Sequence, residues 1–389
     1  MDLTHSPADE AFRAEARAWL DAHVPAEPLP SLETGEGFAA HRAWEAELAA
    51  DRWSVVSWPA AYGGRDAGLV RWLVFEEEYY AAGAPGRVGQ NGVSLLAPTL
   101  FAHGTEEQRA RILPSMASGE VVWAQAWSEP EAGSDLASLR SRAVRTDGGW
   151  RLSGQKTWSS RAAFADRAFG LFRSEPDTPK PHQGLTYLMF DLRAPGVTVR
   201  PIGRLDGKPA FAELFLDEVF VPDEDVIGEP GQGWRVAMST AGNERGLTLR
   251  SPGRFLASAA RLAALWHERG EDPFTRDRVA DALIGARAYQ LFTYAGASRF
   301  LDGEPIGPES SLNKVFWSEY DIALHETALD LLGADGELAG GEATGGRSAG
   351  GDWAEGYVFS LAGPIYAGTN EIQRDIIAER LLGLPKGRR

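Results

Sequence analysis

The run Trp127-Ser128-Glu129-Pro130-Glu131-Ala132-Gly133-Ser134-Asp135 marks the part of the chain that decides its fold. It follows a change near Val121, where helical patterns give way to short β-branched and aromatic runs separated by turn signals. The same region holds a second polar and aromatic run, Gly154-Gln155-Lys156-Thr157-Trp158-Ser159-Ser160. This alternation predicts a sheet up to about residue 228, with strands at 150–153, 168–172, 186–191 and 211–221.

Helical patterns precede and follow the predicted strands along the chain. Ser6, Pro7 and Asp9 form a helix-start signal, and helical patterns cover 37–51, 69–82 and 106–117. From Gln232 onward the apolar spacing predicts two long helices, whose buried faces carry Val279, Leu283, Ala286, Gln290 and Tyr294 in one and Val315, Ile322, Leu329 and Leu332 in the other. Helices, then strands, then helices predict an α+β fold with segregated domains, not a doubly wound sheet.

The composition excludes several classes of protein. The 389 residues include no cysteine, which rules out disulfides, zinc–thiolate sites and iron–sulfur clusters. A net charge of −16 disfavours nucleic acid and anionic membranes as partners. We find neither a signal peptide at the N-terminus nor an apolar run of about 18 residues, so a cytoplasmic protein that does not bind membranes is expected.

Generic catalytic motifs are absent or uninformative. The seven histidines are scattered, so no metal site is predicted. Two matches to S-x-x-K, at 153–156 and 311–314, lack the companion motifs that would make them meaningful. The glycine-rich stretch 340–351 is expected to be a mobile surface loop, because nothing places it between a strand and a helix.

The two runs quoted first resemble the flavin motifs of the acyl-CoA dehydrogenases. Further matches are 58–64, 104–108 with Leu113-Pro114, 215–226 and the C-terminal run Pro364-Ile365-Tyr366-Ala367-Gly368-Thr369-Asn370-Glu371-Ile372-Gln373-Arg374. The resemblance follows nearly the whole chain in order. It implies an N-terminal α-helical domain (1–121), a middle β-barrel or sandwich domain (122–230) and a C-terminal four-helix bundle (231–389).

The resemblance also assigns residues to FAD and to acyl-CoA. Trp158 would pack on the flavin face turned away from substrate, Ser160 would bond near N5, and Ser128 with the backbone of Gln125 and Trp127 would serve the pyrimidine edge. Thr369 and Glu371 would approach the ribityl chain and diphosphate, while Ser134, Tyr366 and Arg245 would serve acyl-CoA. Taken singly, Trp158 is better explained as a core aromatic residue than as a flavin platform, and the three serines as turn or capping residues. Only the ordered set of motifs favours a flavin site.

The base of the family's reaction is missing from its usual place. The family removes an α-proton from an acyl-CoA thioester with a carboxylate and transfers the β-hydride to flavin N5, which yields the 2-enoyl-CoA. Ala367 occupies the position at which many members carry that glutamate, although its backbone N–H would still stabilise the enolate. Members such as isovaleryl-CoA dehydrogenase carry the base on a helix, at the position that Glu244 occupies here. The plainer reading is that Glu244 and Arg245 are a solvated pair.

The sequence departs from the family pattern in one segment, and this departure leaves the oligomeric state undecided. Many members carry an Arg-x-Thr-Phe-Gly segment that holds the FAD of a neighbouring subunit, whereas this chain has 270–278 there and Asp330 in place of the usual glutamine. This pattern resembles actinobacterial-type members, some of which combine two different chains. The resemblance implies an electron-transferring flavoprotein as acceptor and a homo-oligomer, either a dimer or a homotetramer. A flavin-weak partner subunit of a heteromeric dehydrogenase and a flavin monooxygenase on the same fold remain alternatives.

Overall fold

The computed structural model describes residues 5–244, 251–304, 307–337 and 353–386, and only the backbone at Asn243 and Glu244. The chain divides into two compact units, each built from separate segments. The helical unit comprises Met1–Leu29, Ala67–Gly86 and Arg245–Arg389, and the sheet unit comprises Pro30–Asp66 and Arg87–Glu244. Arg245 and the loop expected at 340–351 lie outside the described residues.

Helices dominate the helical unit. Its described helices are α1 (Pro7–His23), α3 (Gly68–Ala81), α7 (Pro252–Glu268), α8 (Arg276–Leu301), α9 (Ser310–Leu332), α10 (Trp353–Ser360) and α11 (Asn370–Ile376), the last continued by a π-helical turn at Ile377–Leu381. The predicted start of α1 is confirmed, because Ser6 caps the helix by accepting a hydrogen bond from the Asp9 N–H at 3.2 Å. Helices α7, α8 and α9 pack around Phe255, Tyr289 and Trp317.

The predicted buried faces of α8 and α9 are partly wrong. Leu283 on α8 is 44% exposed, whereas the polar Gln290 is buried. On α9, Val315, Ile322 and Leu329 are only half-buried. The buried face of α9 includes Lys314, Trp317, Ser318, Asp321, Leu324 and Ala328. Hydrophobicity failed as a guide because several buried residues are polar and are paired, as Asp321 is with Arg254 at 2.8 Å.

The sheet unit is built on one eight-stranded sheet. Its strands are β1 (Trp123–Ala126), β2 (Arg142–Thr146), β3 (Gly149–Ser160), β4 (Arg167–Arg173), β5 (Leu185–Asp191), β6 (Val197–Ile202), β7 (Phe211–Pro222) and β8 (Val226–Ile227). The order across the sheet is β6-β7-β3-β2-β4-β5-β8, with β1 pairing with β4 in parallel. Most neighbours are antiparallel, and their inward side chains form an apolar core. Helices before and after this sheet confirm the α+β fold.

Helices α2 (Gly35–Ala50), α4 (Ala97–His103), α5 (Glu106–Ala117) and α6 (Gly233–Glu244) belong to the sheet unit. A π-helical turn, Gly92–Leu96, precedes α4. Gln108 of α5 completes a capping box with Thr105 and also donates to the carbonyls of Glu224 and Val226 at 2.9 and 2.6 Å. This side chain therefore joins α5 to the segment that leads towards α6.

Strand β3 is longer than the predicted 150–153, and the extension contains the second motif. The pattern was hidden because Gly154 and three polar neighbours interrupt the alternation. A Cβ on Gly154 would stand 2.2 Å from the Ser141 Oγ, so a side chain there would collide with the neighbouring segment. Within the described residues, no helix is long and apolar enough to cross a membrane.

Candidate active site

Trp158 lies at an irregularity of β3. Lys156 pairs with Leu214 and Ser159 with Ala212, so β3 advances three residues while β7 advances two. Trp158 has a φ of 59°, and its side chain is 61% exposed with its ring edge-on to Phe211 at 5.9 Å. A left-handed backbone and an exposed indole both cost free energy, so the bulge holds an aromatic face available to a ligand.

Polar groups of β1 and its following loop lie beside this bulge. The Thr157 N–H donates to the Ser128 carbonyl at 2.9 Å, which joins the two motifs that the sequence predicts to serve one flavin. The Gln125 Nε2 is buried and has no hydrogen-bond partner among the described residues. A buried amide donor without a partner is costly unless a ligand accepts its hydrogen bond. These residues therefore fit an isoalloxazine ring, which combines a flat apolar face with a polar edge.

The remaining motif serines differ in exposure. Ser160 ends β3 and is half-buried, whereas Ser134 is exposed in the turn that follows the Glu129–Ala132 bridge. Ser159, between Trp158 and Ser160, is fully buried, and its Oγ has no partner within the described part of the chain. Ser159 was not predicted as a site residue, because the bulge shifts the alternation of buried and exposed side chains along β3.

A buried ion pair beneath the motifs escaped the sequence reasoning. Lys156 is fully buried, and its Nζ donates to the Glu129 Oε1 at 2.8 Å, the Leu171 carbonyl at 2.7 Å and the Trp127 carbonyl at 3.3 Å. Glu129 in turn accepts the N–H groups of Arg140 and Ser141, at 2.6 and 2.9 Å. The pair thus joins both motifs to the strand β4. The sequence signal that could have predicted this ion pair is the presence of a lysine in one motif and a glutamate in the other.

Burial and pairing act in opposite directions on the pKa of Glu129, as they do on the pKa of Lys156, which burial lowers and Glu129 raises. Burial by itself would raise the pKa of the carboxyl. The Lys156 ammonium and the two backbone donors outweigh burial and hold that pKa below its ordinary value. The loop between β1 and β2 is therefore anchored by a charged hydrogen-bond network.

The position of Glu244 on α6 bears on its predicted role. The buried positions of this helix follow a helical repeat: Gly233, Val236, Ala237, Thr240 and Ala241. The next position in that repeat is Glu244, the last residue of α6, which lies one turn after the fully buried Thr240. The side chain of Glu244 and the whole of Arg245 lie outside the described residues, so the base and the solvated pair both stay predictions.

The C-terminal motif forms a tight turn in the helical unit. Ala367 and Gly368 both have left-handed backbones, with φ of 57° and 77°. Gln373 is fully buried, and its Nε2 donates to the carbonyls of both residues, at 3.0 and 3.2 Å. Neither of their N–H groups donates to another residue in the described ranges. Two adjacent free N–H groups of this kind form an anion-binding concavity.

The neighbours of Ala367 are held in place by packing and capping. Tyr366 is half-buried, and its ring packs against Trp317 at 5.9 Å. Thr369 caps α11 by accepting the Ile372 N–H at 3.3 Å, and the buried Asn370 accepts from Lys314 Nζ at 2.9 Å. Glu371 is exposed, and its own backbone N–H and the Thr369 hydroxyl lower its pKa. Glu371 is therefore ionised at neutral pH.

The comparisons with known proteins agree with these features. Models of the acyl-CoA dehydrogenase N-terminal, middle and C-terminal domains match residues 6–120, 124–219 and 231–382. Acyl-CoA dehydrogenase IpdE1 of Mycobacterium tuberculosis is 37% identical over 394 residues, which covers 97% of this chain and 98% of that protein.

Two solved structures are similar along the whole chain. The Tcur3481-Tcur3483 steroid ACAD has a TM-score of 0.87 and 29% identity, with full coverage of both chains. The ChsE4-ChsE5 complex from Mycobacterium tuberculosis has a TM-score of 0.82 and 28% identity, also with full coverage. The chain belongs to the acyl-CoA dehydrogenase family, whose members are oxidoreductases that bind FAD.

Proposed function

We propose that this enzyme converts an acyl-CoA thioester into its 2-enoyl-CoA with Glu244 as the base. The observation that carries the proposal is the place of Glu244 at the end of α6, one turn after the fully buried Thr240, while the residue at the family's usual base position is Ala367. A base is defined by where its carboxylate reaches and not by its place in the chain.

The chemistry divides among few groups. Glu244 takes the α-proton, and the N–H of Ala367 donates a hydrogen bond to the thioester oxygen as negative charge develops there. FAD, when bound, would supply the acceptor for the hydride of the β carbon. Trp158, Gln125, Ser128 and Ser160 hold and orient the flavin ring, while Thr369 and Glu371 serve its ribityl chain and diphosphate. Ser134, Tyr366 and Arg245 serve acyl-CoA.

The acyl group that we propose is bulky and steroid-derived. Two considerations support it: a base on a helix suits branched or bulky acyl groups, and a structure named a steroid ACAD matches the whole chain. We further propose that an electron-transferring flavoprotein reoxidises the flavin.

The test is anaerobic mixing of the purified flavoprotein with octanoyl-CoA, isobutyryl-CoA and a steroid side-chain acyl-CoA. We expect the flavin absorbance to bleach with stoichiometric 2-enoyl-CoA, most rapidly with the steroid thioester. The control is dithionite, which must bleach the same flavin. A flavin that dithionite bleaches but no thioester does would refute the proposed dehydrogenation.

A second candidate function has its own observation. Arg278 and Asp330 pair at 2.6 Å, on the segments where the family's subunit-bridging FAD contacts are expected from the resemblance. Two matched structures are also named as pairs of chains. The chain could then serve as the flavin-weak subunit of a heteromeric dehydrogenase.

The ratio of FAD to protein separates the two functions. If the chain is a complete dehydrogenase, the protein purified alone should contain about one FAD per chain. If it is a flavin-weak subunit, the protein purified alone should be colourless and gain flavin only with a different partner chain. Absorbance before and after co-expression with a second acyl-CoA dehydrogenase chain from the same organism measures this. Full FAD occupancy in the isolated chain would exclude the second function.

A further inference from the structure

A chain of four hydrogen bonds runs through the sheet unit and includes Thr240 of α6, the helix that carries the proposed base. The Trp127 Nε1 lies 3.3 Å from the Tyr187 hydroxyl, which lies 3.3 Å from the Thr240 Oγ1. The Thr240 Oγ1 lies 2.7 Å from the Thr99 Oγ1, which lies 2.7 Å from the Leu95 carbonyl oxygen. We call this set the hydroxyl chain.

The two ends of the hydroxyl chain favour one direction. An indole N–H can only donate and a carbonyl oxygen can only accept. When Thr99 donates to the Leu95 carbonyl, Thr240 donates to Thr99 and Tyr187 donates to Thr240. In the other arrangement Thr240 donates to the Val236 carbonyl at 3.1 Å and accepts from Thr99. The arrangement that runs from Trp127 to Leu95 satisfies every group of the hydroxyl chain.

Because the hydroxyl chain is buried, the loss of one of its hydrogen bonds is costly in free energy. Tyr187, Thr240 and Thr99 are each fully buried, so water cannot replace a lost partner. The Trp127 ring also stands perpendicular to the Tyr187 ring, with centroids 6.2 Å apart. Both ends of the hydroxyl chain are held by the protein and not by solvent.

The hydroxyl chain connects elements that the chemistry needs in fixed positions. Trp127 belongs to the flavin motif after β1, Tyr187 to β5, Thr99 to α4 and Thr240 to α6. Thr240 lies one helical turn before Glu244. A shift of about 1 Å at a reacting group can slow catalysis about a hundredfold.

We propose that Tyr187 and Thr240 are positioning residues, which set the end of α6 relative to the flavin motif so that the base reaches the α-proton. The proposal rests on Glu244 as the base. The plainer reading is that Thr240 only bonds to its own helix, at the Val236 carbonyl 3.1 Å away. That contact is longer than the 2.7 Å bond to Thr99, and the same hydrogen cannot serve both fully.

Two substitutions at Thr240 distinguish the effect of losing the hydroxyl group from the effect of changing the packing. Thr240→Val keeps the side-chain shape and removes the hydroxyl, whereas Thr240→Ser keeps the hydroxyl and removes a methyl group. Tyr187→Phe breaks two links and keeps the ring. The matched control is Thr293→Val, since Thr293 is also buried and, among the described residues, its hydroxyl bonds only to the Tyr289 carbonyl of its own helix, at 2.8 Å.

Stopped-flow absorbance measures the rate of flavin reduction by the steroid side-chain acyl-CoA. Mass spectrometry measures the exchange of its α-hydrogen in D2O. We expect Thr240→Val and Tyr187→Phe to slow both flavin reduction and exchange about 10- to 100-fold, with the thioester Kd unchanged. Thr240→Ser and Thr293→Val should stay within about threefold of wild type.

Thermal unfolding and FAD binding by fluorescence are measured on the same variants. If Thr240→Val and Thr240→Ser lose rate in proportion to their loss in Tm, the role is structural and the proposal is overturned. If Glu244→Gln keeps the wild-type rate, the base assignment fails instead. Wild-type rates in Tyr187→Phe beside an inactive Glu244→Gln refute the positioning role alone.

Discussion

Replacing Glu244 by glutamine is expected to slow flavin reduction by acyl-CoA by about 10²–10⁴-fold, which is the range that a general base contributes. Glutamine has the shape of glutamate but cannot take the α-proton. Stopped-flow absorbance under anaerobic conditions measures the rate. FAD content and thermal stability should remain at wild-type values, because the substitution removes a charge and no packing.

A matched control uses a glutamate of the same type on a neighbouring helix. Glu268 is exposed near the end of α7, and Glu268→Gln should reduce its flavin at the wild-type rate. If Glu244→Gln also keeps that rate, another group takes the proton and the role of α6 must be reassigned. Added dithionite distinguishes a lost base from a flavin that cannot be reduced.

The largest loss of stability is expected from Lys156→Met. The substitution leaves the buried Glu129 carboxylate without its cation, and an unpaired buried charge typically costs about 3–5 kcal/mol. Urea unfolding at pH 7 measures the free energy of unfolding. FAD affinity should fall as well, because the Lys156 Nζ bonds both the Glu129 side chain and the Trp127 carbonyl of the flavin motif.

A double-mutant cycle tests that explanation. Arg140 and Ser141 donate their N–H groups to different oxygens of Glu129, so Glu129→Gln removes the charge and keeps an acceptor for only one of them. Lys156→Met combined with Glu129→Gln should nevertheless cost less than the sum of the two single changes, because the double variant leaves no unpaired buried charge. The exposed pair of Arg278 and Asp330 is the control, and Arg278→Met should cost less than about 1 kcal/mol. Additive losses at Lys156 and Glu129 would show that the ion pair is not the cause.

The ion pair of Lys156 and Glu129 also predicts that part of the free energy of unfolding is lost in acid. Glu129 has a pKa in the folded protein below its ordinary value of 4.5, so its contribution is complete above that value and is lost as pH falls through the folded pKa. The difference in unfolding free energy between wild type and Glu129→Gln should therefore be largest near pH 7 and should shrink in acid. Urea titrations at pH 7 and at the lowest pH that keeps the protein folded compare the two. A constant difference would contradict the assignment.

Much of the fold is readable from local patterns. The helix start at Ser6 and the strand at 211–221 follow from capping chemistry and β-branched runs, because both depend on residues close in sequence. The buried face of α9 could not be predicted in this way. Asp321 and Lys314 are buried there because partners far away in sequence, Arg254 and Asn370, satisfy them.

The candidate site divides along the same line. Residue types and their order along the chain are enough to identify the family and to show Ala367 where a glutamate is usual, because motifs are local. The sequence cannot show that Thr240, one turn before Glu244, is fully buried, that Trp158 is held exposed by a bulge, or that Lys156 pairs with Glu129. Those features depend on contacts between distant segments, and such contacts exist only once β3, β7 and α6 have packed.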